Sequence, residues 1–283
     1  MIYQSTGAFP NSNMVEVIAA GDYDFISAYE LSSGPFIGNI ESYLAALSCH
    51  SKLAIHNYFP VPETPFVLNL SSQNPQIIRL SLAHIKHAID LASKFCTPYY
   101  SFHAGFLLDP APHELGNISA NKEKIPRDLG TQTFVNNVNK VADYAQEKNV
   151  ILMIENNVCS RSTMKKFGES PLLFSDLEGA SDLVQALDPR IKFLCDYAHL
   201  KVSAQTLAYD PEAFLHEIND RFKACHLSDN DGFEDQNFAF SQKSWFWGLL
   251  PKDLEYYSIE VYESNPEVLK DCHCLLEGHV DEL

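Results

Sequence analysis

Short apolar runs alternate with polar loops and amphipathic segments along most of the chain. Apolar residues recur with a spacing near 3.6 in residues 75–95 and 131–148, which predicts two long helices. The short runs are rich in β-branched and aromatic residues, which predicts strands. The eight predicted strands are IYQST (2–6), FISAYEL (25–31), LAIHNY (53–58), YYSFHAG (99–105), VILMIEN (150–156), IKFLCD (191–196), FKACHL (222–227) and YYSIEVY (256–262).

The order of these elements predicts the fold class. Strands that are apolar on both faces and alternate with helices indicate a parallel sheet covered by helices. Eight such units in 283 residues fit a closed α/β barrel of the (β/α)8 or TIM type. A doubly wound open sheet is the alternative, although we find no glycine-rich phosphate loop of either common type. We also find no linker, repeat or low-complexity segment, so residues 1–283 are predicted to form a single domain.

Polar residues predict where three of the helices begin. Thr131 is expected to cap the second long helix. Ser175 or Asp176 is expected to cap the helix that follows the fifth strand. Asp210 is expected to cap a later helix, with Pro211 at its first position, where proline is favoured.

Composition narrows the classes of function. Asp and Glu number 37 against 20 Lys and Arg, for a formal net charge of −17. Such a surface repels phosphate backbones, so we expect no nucleic acid and favour a small-molecule substrate. No stretch approaches the roughly 18 apolar residues of a membrane span, and the first residues do not resemble a secretion signal. Seven cysteines, mostly in apolar runs, predict free thiols and a cytoplasmic location.

Two features of the second half have more than one interpretation. Cys272, His273 and Cys274 are close enough to suggest zinc, but a helix is the favoured interpretation. The loops at 104–130 and 228–255 are long, and loops of this length are usually functional. The second carries five aromatic residues, Phe238, Phe240, Trp245, Phe246 and Trp247. They either pack beneath the loop or at a subunit contact, or they form a lid from which Trp247 contacts a sugar.

Seven of the eight predicted strands end on a titratable side chain: Glu30, His56, His103, Glu155, Asp196, His226 and Glu260. In a closed barrel these ends form one ring at the face where active sites lie. Carboxylates that share such a cup repel one another, and a divalent cation removes the repulsion. Carboxylate and imidazole ligands suit Mn²⁺, Co²⁺, Mg²⁺ or Zn²⁺. The predicted ligands are Glu155, Asp196, His226 and Glu260. A structural role is favoured over a direct metal role for His56, and hydrogen bonding to backbone amides is expected for Glu30.

Four segments on the last four strands, ILMIENN, FLCDYAHL, CHLSDNDG and SIEVYE, resemble the xylose isomerase-like TIM barrel superfamily. The resemblance spans roughly residues 50–262. The superfamily contains sugar isomerases, ketose 3-epimerases, inosose dehydratases and the endonuclease IV class of DNA repair enzymes. The resemblance implies that the four predicted ligands hold one divalent metal, which is often manganese in the isomerase and epimerase branch.

The resemblance also implies roles for other residues. His199 contacts substrate in the isomerase branch, and the endonuclease branch uses the residues at His103 and His199 for a second metal, which stays open here. His56, His103 and His199 are predicted to contact substrate. The endonuclease branch holds a third metal with an Asp-x-His pair. Here Asp235 matches the Asp, but Asn237 stands at the His position, which argues against a third metal.

The resemblance therefore implies a metal-dependent isomerase or epimerase that acts on a sugar or sugar phosphate. Such enzymes remove a proton next to a carbonyl group, and the metal stabilises the resulting enediolate. Glu155 and Glu260 are predicted to act as the acid/base pair as well as ligands. The alternatives are a phosphodiesterase of the AP endonuclease type, a polyol dehydratase, and a barrel without catalysis. Assembly into a homo-oligomer stays open.

Overall fold

The eight predicted strands form a closed barrel of parallel strands in which each strand pairs with the next and the eighth pairs with the first. The computed structural model describes residues 1–32, 34–96, 98–115 and 118–281. Positions 116 and 117 of the first long loop, and 282 and 283 of the predicted domain, lie outside the described residues. The (β/α)8 prediction is confirmed, and the doubly wound alternative is wrong.

All strands but β7, which has the predicted bounds, are shorter than predicted, and helices follow most of them. The strands are β1 Ile2–Ser5, β2 Ala28–Leu31, β3 Lys52–His56, β4 Tyr99–His103, β5 Ile151–Glu155, β6 Lys192–Asp196, β7 Phe222–Leu227 and β8 Tyr256–Ile259. The α-helices of the described part are α1 Met14–Ala20, α2 Ile40–Ser48, α3 Pro75–Phe95, α4 Arg127–Glu147, α5 Arg161–Phe167, α6 Leu177–Ala186, α7 Tyr197–Leu207, α8 Pro211–Ile218 and α9 Pro266–Asp281. Within the described ranges, none of these helices is long and apolar enough to cross a membrane.

The interior of the barrel changes from apolar to polar along the strands. A buried apolar cluster comprises Tyr3, Ala28, Ala54, Met153, Leu194, Ala224 and Tyr256. Two residues further along the same strands lie Ser5, Glu30, His56, Glu155, Asp196, His226 and Ser258, which are also buried. Residues i and i+2 of a strand face the same side. The period of the strand therefore places a polar layer directly above the apolar one.

The predicted helix starts are confirmed for two helices and wrong for one. Asp176 caps α6 through a hydrogen bond from the Gly179 amide, and Asp210 caps α8, whose first residue is proline. Helix α4, in contrast, begins at Arg127, one turn before Thr131. The Arg127 guanidinium donates two hydrogen bonds to the Asp176 carboxylate. This contact between distant segments supports a first turn that has no clear apolar pattern of its own.

The stretch Cys272 to Cys274 lies in α9, as the helix interpretation predicted. Cys272 and His273 are buried, whereas Cys274 is exposed. The His273 ring packs edge-on against Phe25, with 5.5 Å between ring centroids. Its Nε2 atom is buried without a hydrogen-bond partner among the described residues. Burial without such a partner lowers the pKa of His273 to about 4.

We expect His273 to make stability depend on pH. Its pKa is about 4 in the folded chain and 6.5 as the reference value, so the unfolded chain binds the proton more tightly. The free energy of unfolding should therefore fall as pH drops from 6.5 towards 4, by about 2 kcal/mol at pH 5. The variant His273→Leu should lose this part of the pH dependence. Urea unfolding at pH 7 and pH 5 measures the effect.

The control is His50→Gln, because His50 is exposed. It should retain the pH dependence of the native protein. An unchanged difference between pH 7 and pH 5 in His273→Leu would contradict the assignment.

Candidate metal centre

The carboxyl ends of the strands bring the predicted side chains into one polar cup. Glu30, Glu155, Asp196 and His226 are fully buried, and Glu260 is 7% exposed. Strand register explains part of this arrangement, because His103 is the neighbour of Glu155 and Asp196 is the neighbour of His226. Buried acids at such density require compensation by positive charge.

The four predicted ligands form the first of three overlapping groups. Glu155, Asp196, His226 and Glu260 each offer an atom within 4.8 Å of the others. The Nδ1 atom of His226 lies 3.1 Å from Glu155 Oε1 and 3.1 Å from Glu260 Oε2. Asp196 Oδ2 lies 3.9 Å from the same nitrogen. The fold thus assembles this set from four successive strand ends, and its role as a ligand set stays a prediction.

Two further groups add Glu30 and His56, which were not predicted to be ligands, and His103, for which a role at a second metal stayed open. His56, His103 and Glu155 form one, and Glu30, His56 and His226 form the other. Glu155 Oε2 lies 3.2 Å from His56 Nε2 and 3.3 Å from His103 Nδ1. His226 Nε2 lies 2.8 Å from Glu30 Oε1. The positions of Glu30 and His56 at strand ends were the signal that could have identified both residues as candidate metal ligands.

Several of the converging atoms make no hydrogen bond in the described part of the chain, although some of them lie within ion-pair distance of one another. They are both carboxylate oxygens of Glu30, Glu155 Oε2, Asp196 Oδ2, His103 Nδ1 and His226 Nε2. The expected bonding of Glu30 to backbone amides is therefore wrong. Buried polar atoms without partners are costly, and a cation at the centre would satisfy them together. The side chains present fit a divalent metal.

The donor set consists of oxygen and nitrogen atoms. Cys195 and Cys225 lie on the strands next to Asp196 and His226, but belong to the apolar layer outside the barrel. Burial raises the pKa of both thiols well above the ordinary value, which keeps them neutral. The site therefore favours metals that accept carboxylate and imidazole ligands.

The charges in the cup stabilise one another unequally. Burial opposes ionisation of Glu155, but the imidazoles of His103, His226 and His56 hold its pKa well below the ordinary value. Against the same opposition, His226 lowers the pKa of Glu260 to about 2. Burial and the neighbouring acids raise the pKa of Asp196 well above its usual range. Burial and the neighbouring acids thus disfavour a further negative charge at Asp196, and a bound cation would relieve this effect.

The pKa values of the imidazoles in the cup are also shifted in different directions. Burial lowers the pKa of His103 to about 4, so its ring is neutral at pH 7, as a metal ligand must be. Burial also disfavours the charged form of His226, but Glu30, Glu155 and Glu260 raise its pKa well above the ordinary value. A metal ion at the same place would supply the positive charge that His226 otherwise provides.

A shell of hydrogen bonds orients Asp196 and His199. Asp196 Oδ1 accepts a bond of 2.7 Å from the His199 amide, so this carboxylate also caps α7. Asn156 fixes the same position, since its side chain bonds both the amide and the carbonyl of Asp196. His199 Nδ1 lies 2.9 Å from the Asn156 carbonyl, and its Nε2 lies 3.2 Å from Asp235 Oδ2. Burial disfavours the charged form of His199, but Asp196 and Asp235 raise its pKa well above the ordinary value. Both ring nitrogens therefore donate, Nδ1 to the carbonyl and Nε2 to the Asp235 carboxylate.

Two residues near Glu260 occupy supporting positions. The Asn237 side chain donates to the Glu260 carbonyl at 3.2 Å, so the residue at the expected His position is used for structure. The Tyr262 hydroxyl donates to Glu260 Oε1 at 3.2 Å, which leaves Oε2 facing His226. Tyr262 was not predicted, because its position two residues after Glu260 carries no chemical signal by itself.

Trp247 lies apart from the converging side chains. Its ring packs on His279 of α9 at 5.3 Å between centroids, and its indole N–H donates to the Ser241 carbonyl. Phe240 and Phe246 in the same loop are buried. The packing interpretation therefore describes Phe240 and Phe246, whereas Phe238 is exposed, and a substrate contact of Trp247 stays a prediction without a supporting distance.

The second long loop is anchored at its start. Asp229 and Phe238 exchange two backbone hydrogen bonds, and the Lys201 ammonium lies 2.6 Å from Asp229 Oδ1. Ser244 donates to the other carboxylate oxygen of Asp229 at 2.6 Å. These contacts hold the loop beside the strand ends.

The fold is a closed parallel barrel, and the acids and imidazoles at its strand ends are consistent with a site for a divalent metal. The family model described as xylose isomerase-like TIM barrel matches residues 14–253, and the chain belongs to that family. No curated protein matches the chain.

Solved structures of the same fold cover nearly the whole chain. A D-tagatose 3-epimerase-like protein has 16% identity and a TM-score of 0.72, over 99% of this chain and 97% of its own. An L-ribulose 3-epimerase has 12% identity and a TM-score of 0.72, over 99% and 94%. A Thermus thermophilus protein soaked with ZnCl2 has 20% identity and a TM-score of 0.66, over 98% of both chains. At these low sequence identities the structural likeness shows the fold alone.

Proposed function

We propose that this protein is a divalent-metal-dependent sugar isomerase or epimerase. The observation that carries the proposal is the group of Glu155, Asp196, His226 and Glu260, whose ligand atoms converge at the strand ends. Membership of the family and the sugar epimerases among its structural neighbours support a sugar as substrate. Manganese, cobalt, magnesium and zinc all suit this donor set.

The reaction requires a proton to leave and return at a carbon next to a carbonyl group. A divalent cation supplies Lewis-acid stabilisation of the negative charge that proton removal creates. Glu155 Oε1 and Glu260 Oε2 both lie 3.1 Å from His226 Nδ1, so the two carboxylates flank one point. From there they accept and return the proton. His56, His103 and His199 orient the hydroxyl groups of the substrate.

Metal content and proton exchange together test this function. We expect protein loaded with Mn²⁺ to contain one tightly bound ion per chain in native mass spectrometry. In D₂O, it should incorporate deuterium into D-tagatose or L-ribulose next to the carbonyl, because proton removal precedes rearrangement. NMR spectroscopy measures the incorporation. Loaded protein that exchanges no proton in any ketose would contradict the proposal, and protein treated with a chelator is the control.

A hydrolase of the phosphodiesterase type is the second candidate, and a specific observation favours it. His56 and His103 converge on Glu155, and Asp235 lies 3.2 Å from His199, so the cup offers donors for more than one metal. The same experiment separates the two functions. Two or more ions per chain, with hydrolysis of bis(4-nitrophenyl) phosphate and no deuterium exchange, would identify the hydrolase.

A further inference from the structure

A cavity of about 360 Å³ adjoins the cup. The proposed reaction assigns no role to it. His103 and His199 line it, so the cavity and the cup share two side chains. The remaining lining comes from the segments after β4 and β5 and includes Phe106, Phe167 and Leu172. We call this space the side cavity.

The backbone around the side cavity is fixed by internal hydrogen bonds. Phe106 and Leu172 form an antiparallel bridge. The Asn157 side chain donates to the carbonyls of Ala104 and Leu173, at 2.8 Å in both cases. Gly105 lies so close to Ser71 that a Cβ atom added to Gly105 would lie 1.8 Å from the hydroxyl oxygen of Ser71. These contacts hold the wall of the side cavity in one conformation.

Apart from His103 and His199, which belong to the cup, the polar side chains that line the side cavity already have partners within the protein. The two amide hydrogens of Asn157 are used by the carbonyls just described. The Ser162 hydroxyl bonds Glu234, and the Thr163 hydroxyl lies 3.1 Å from that of Ser160. Lys166 also interacts within the protein. What the side cavity offers a ligand is mainly the apolar surface of Phe106, Phe167 and Leu172.

This surface does not suit an unsubstituted sugar. Each hydroxyl group that is buried without a hydrogen-bond partner costs free energy. An apolar group, in contrast, gains from leaving water in proportion to the area that it buries. The volume lies within the range of small-ligand pockets and is sufficient for an aromatic ring or a short alkyl chain.

We propose that the substrate is a sugar with an apolar substituent, and that this substituent lies in the side cavity while the sugar lies in the cup. This inference rests on the proposed function, because it takes the cup to be the site of the sugar. It goes beyond that function by assigning the side cavity to the part of the substrate that does not react.

Binding of three probes to the metal-loaded protein tests the inference. The probes are phenyl β-D-glucopyranoside, D-glucose and phenol, measured by isothermal titration calorimetry. We expect the glucoside to bind at least about tenfold more tightly than glucose or phenol, a difference of about 1.4 kcal/mol. Phe167→Ala and, separately, Leu172→Asn should remove this advantage, since both change the apolar lining. The matched control Phe36→Ala, at a residue 52% exposed and outside this lining, should retain it.

The possible results separate this inference from the proposed function. Equal binding of glucose and the glucoside would overturn the inference and leave the sugar function intact. Loss of the advantage in Phe36→Ala as well would also overturn it. Binding of phenol as tight as that of the glucoside would contradict a sugar site in the cup, and the inference would fall with the proposed function.

Discussion

The variant Glu155→Gln is expected to lose about 10²- to 10⁴-fold in kcat. Glu155 contacts His56 and His103 through one oxygen and His226 through the other. Glutamine has nearly the same shape, but it carries no charge and accepts no proton at neutral pH. The variant therefore removes the base and weakens the ligand set while it preserves packing. Rates of deuterium exchange in the metal-loaded variant measure the loss.

Two further variants make this result specific. Glu260→Gln should show a loss of similar size, because Glu260 flanks the same nitrogen of His226. Glu41→Gln is the matched control, since Glu41 is exposed and pairs with Lys94, and it should keep full activity. Circular dichroism confirms that each variant is folded. If Glu155→Gln and Glu260→Gln both remain active, these residues are not the acid/base pair.

Removal of the metal is expected to lower the melting temperature by about 8–16 °C. A ligand at about 1,000 times its Kd stabilises the folded state by about 4 kcal/mol. In large single domains each kcal/mol of stability corresponds to about 2–4 °C in melting temperature. The cause lies in the cup, where Glu30, Glu155 and Asp196 have carboxylate oxygens without hydrogen-bond partners in the described part. Differential scanning calorimetry with and without a chelator measures the shift.

Reconstitution provides the control for this experiment. Mn²⁺ or Zn²⁺ added in excess of the chelator should restore the melting temperature of the native protein. The shift should be smaller in Glu155→Gln, which lacks one of the shared carboxylates. Identical melting curves before and after complete removal of the metal would contradict a metal that stabilises the cup.

The sequence by itself determined the barrel and the position of its polar cup. Eight apolar runs alternate with helical patterns, and seven of them end on an acid or a histidine. Burying an acid at the end of an apolar strand is costly unless a counter-charge is present. The position of Asp196 after Phe193 to Cys195 therefore carried chemical information before any distance was known. The strand period of two then placed it on the same face as Leu194.

Only the tertiary structure decided which side chains share partners. Asp235 meets His199 across 36 positions of sequence, and Arg127 meets Asp176 across 49, and no local pattern specifies such pairs. The pairing of Glu30 with His226, the burial of Phe246 and the side cavity likewise depend on how separate segments pack. Periodicity determines which face of an element a residue occupies, whereas its partners depend on the closure of the whole barrel.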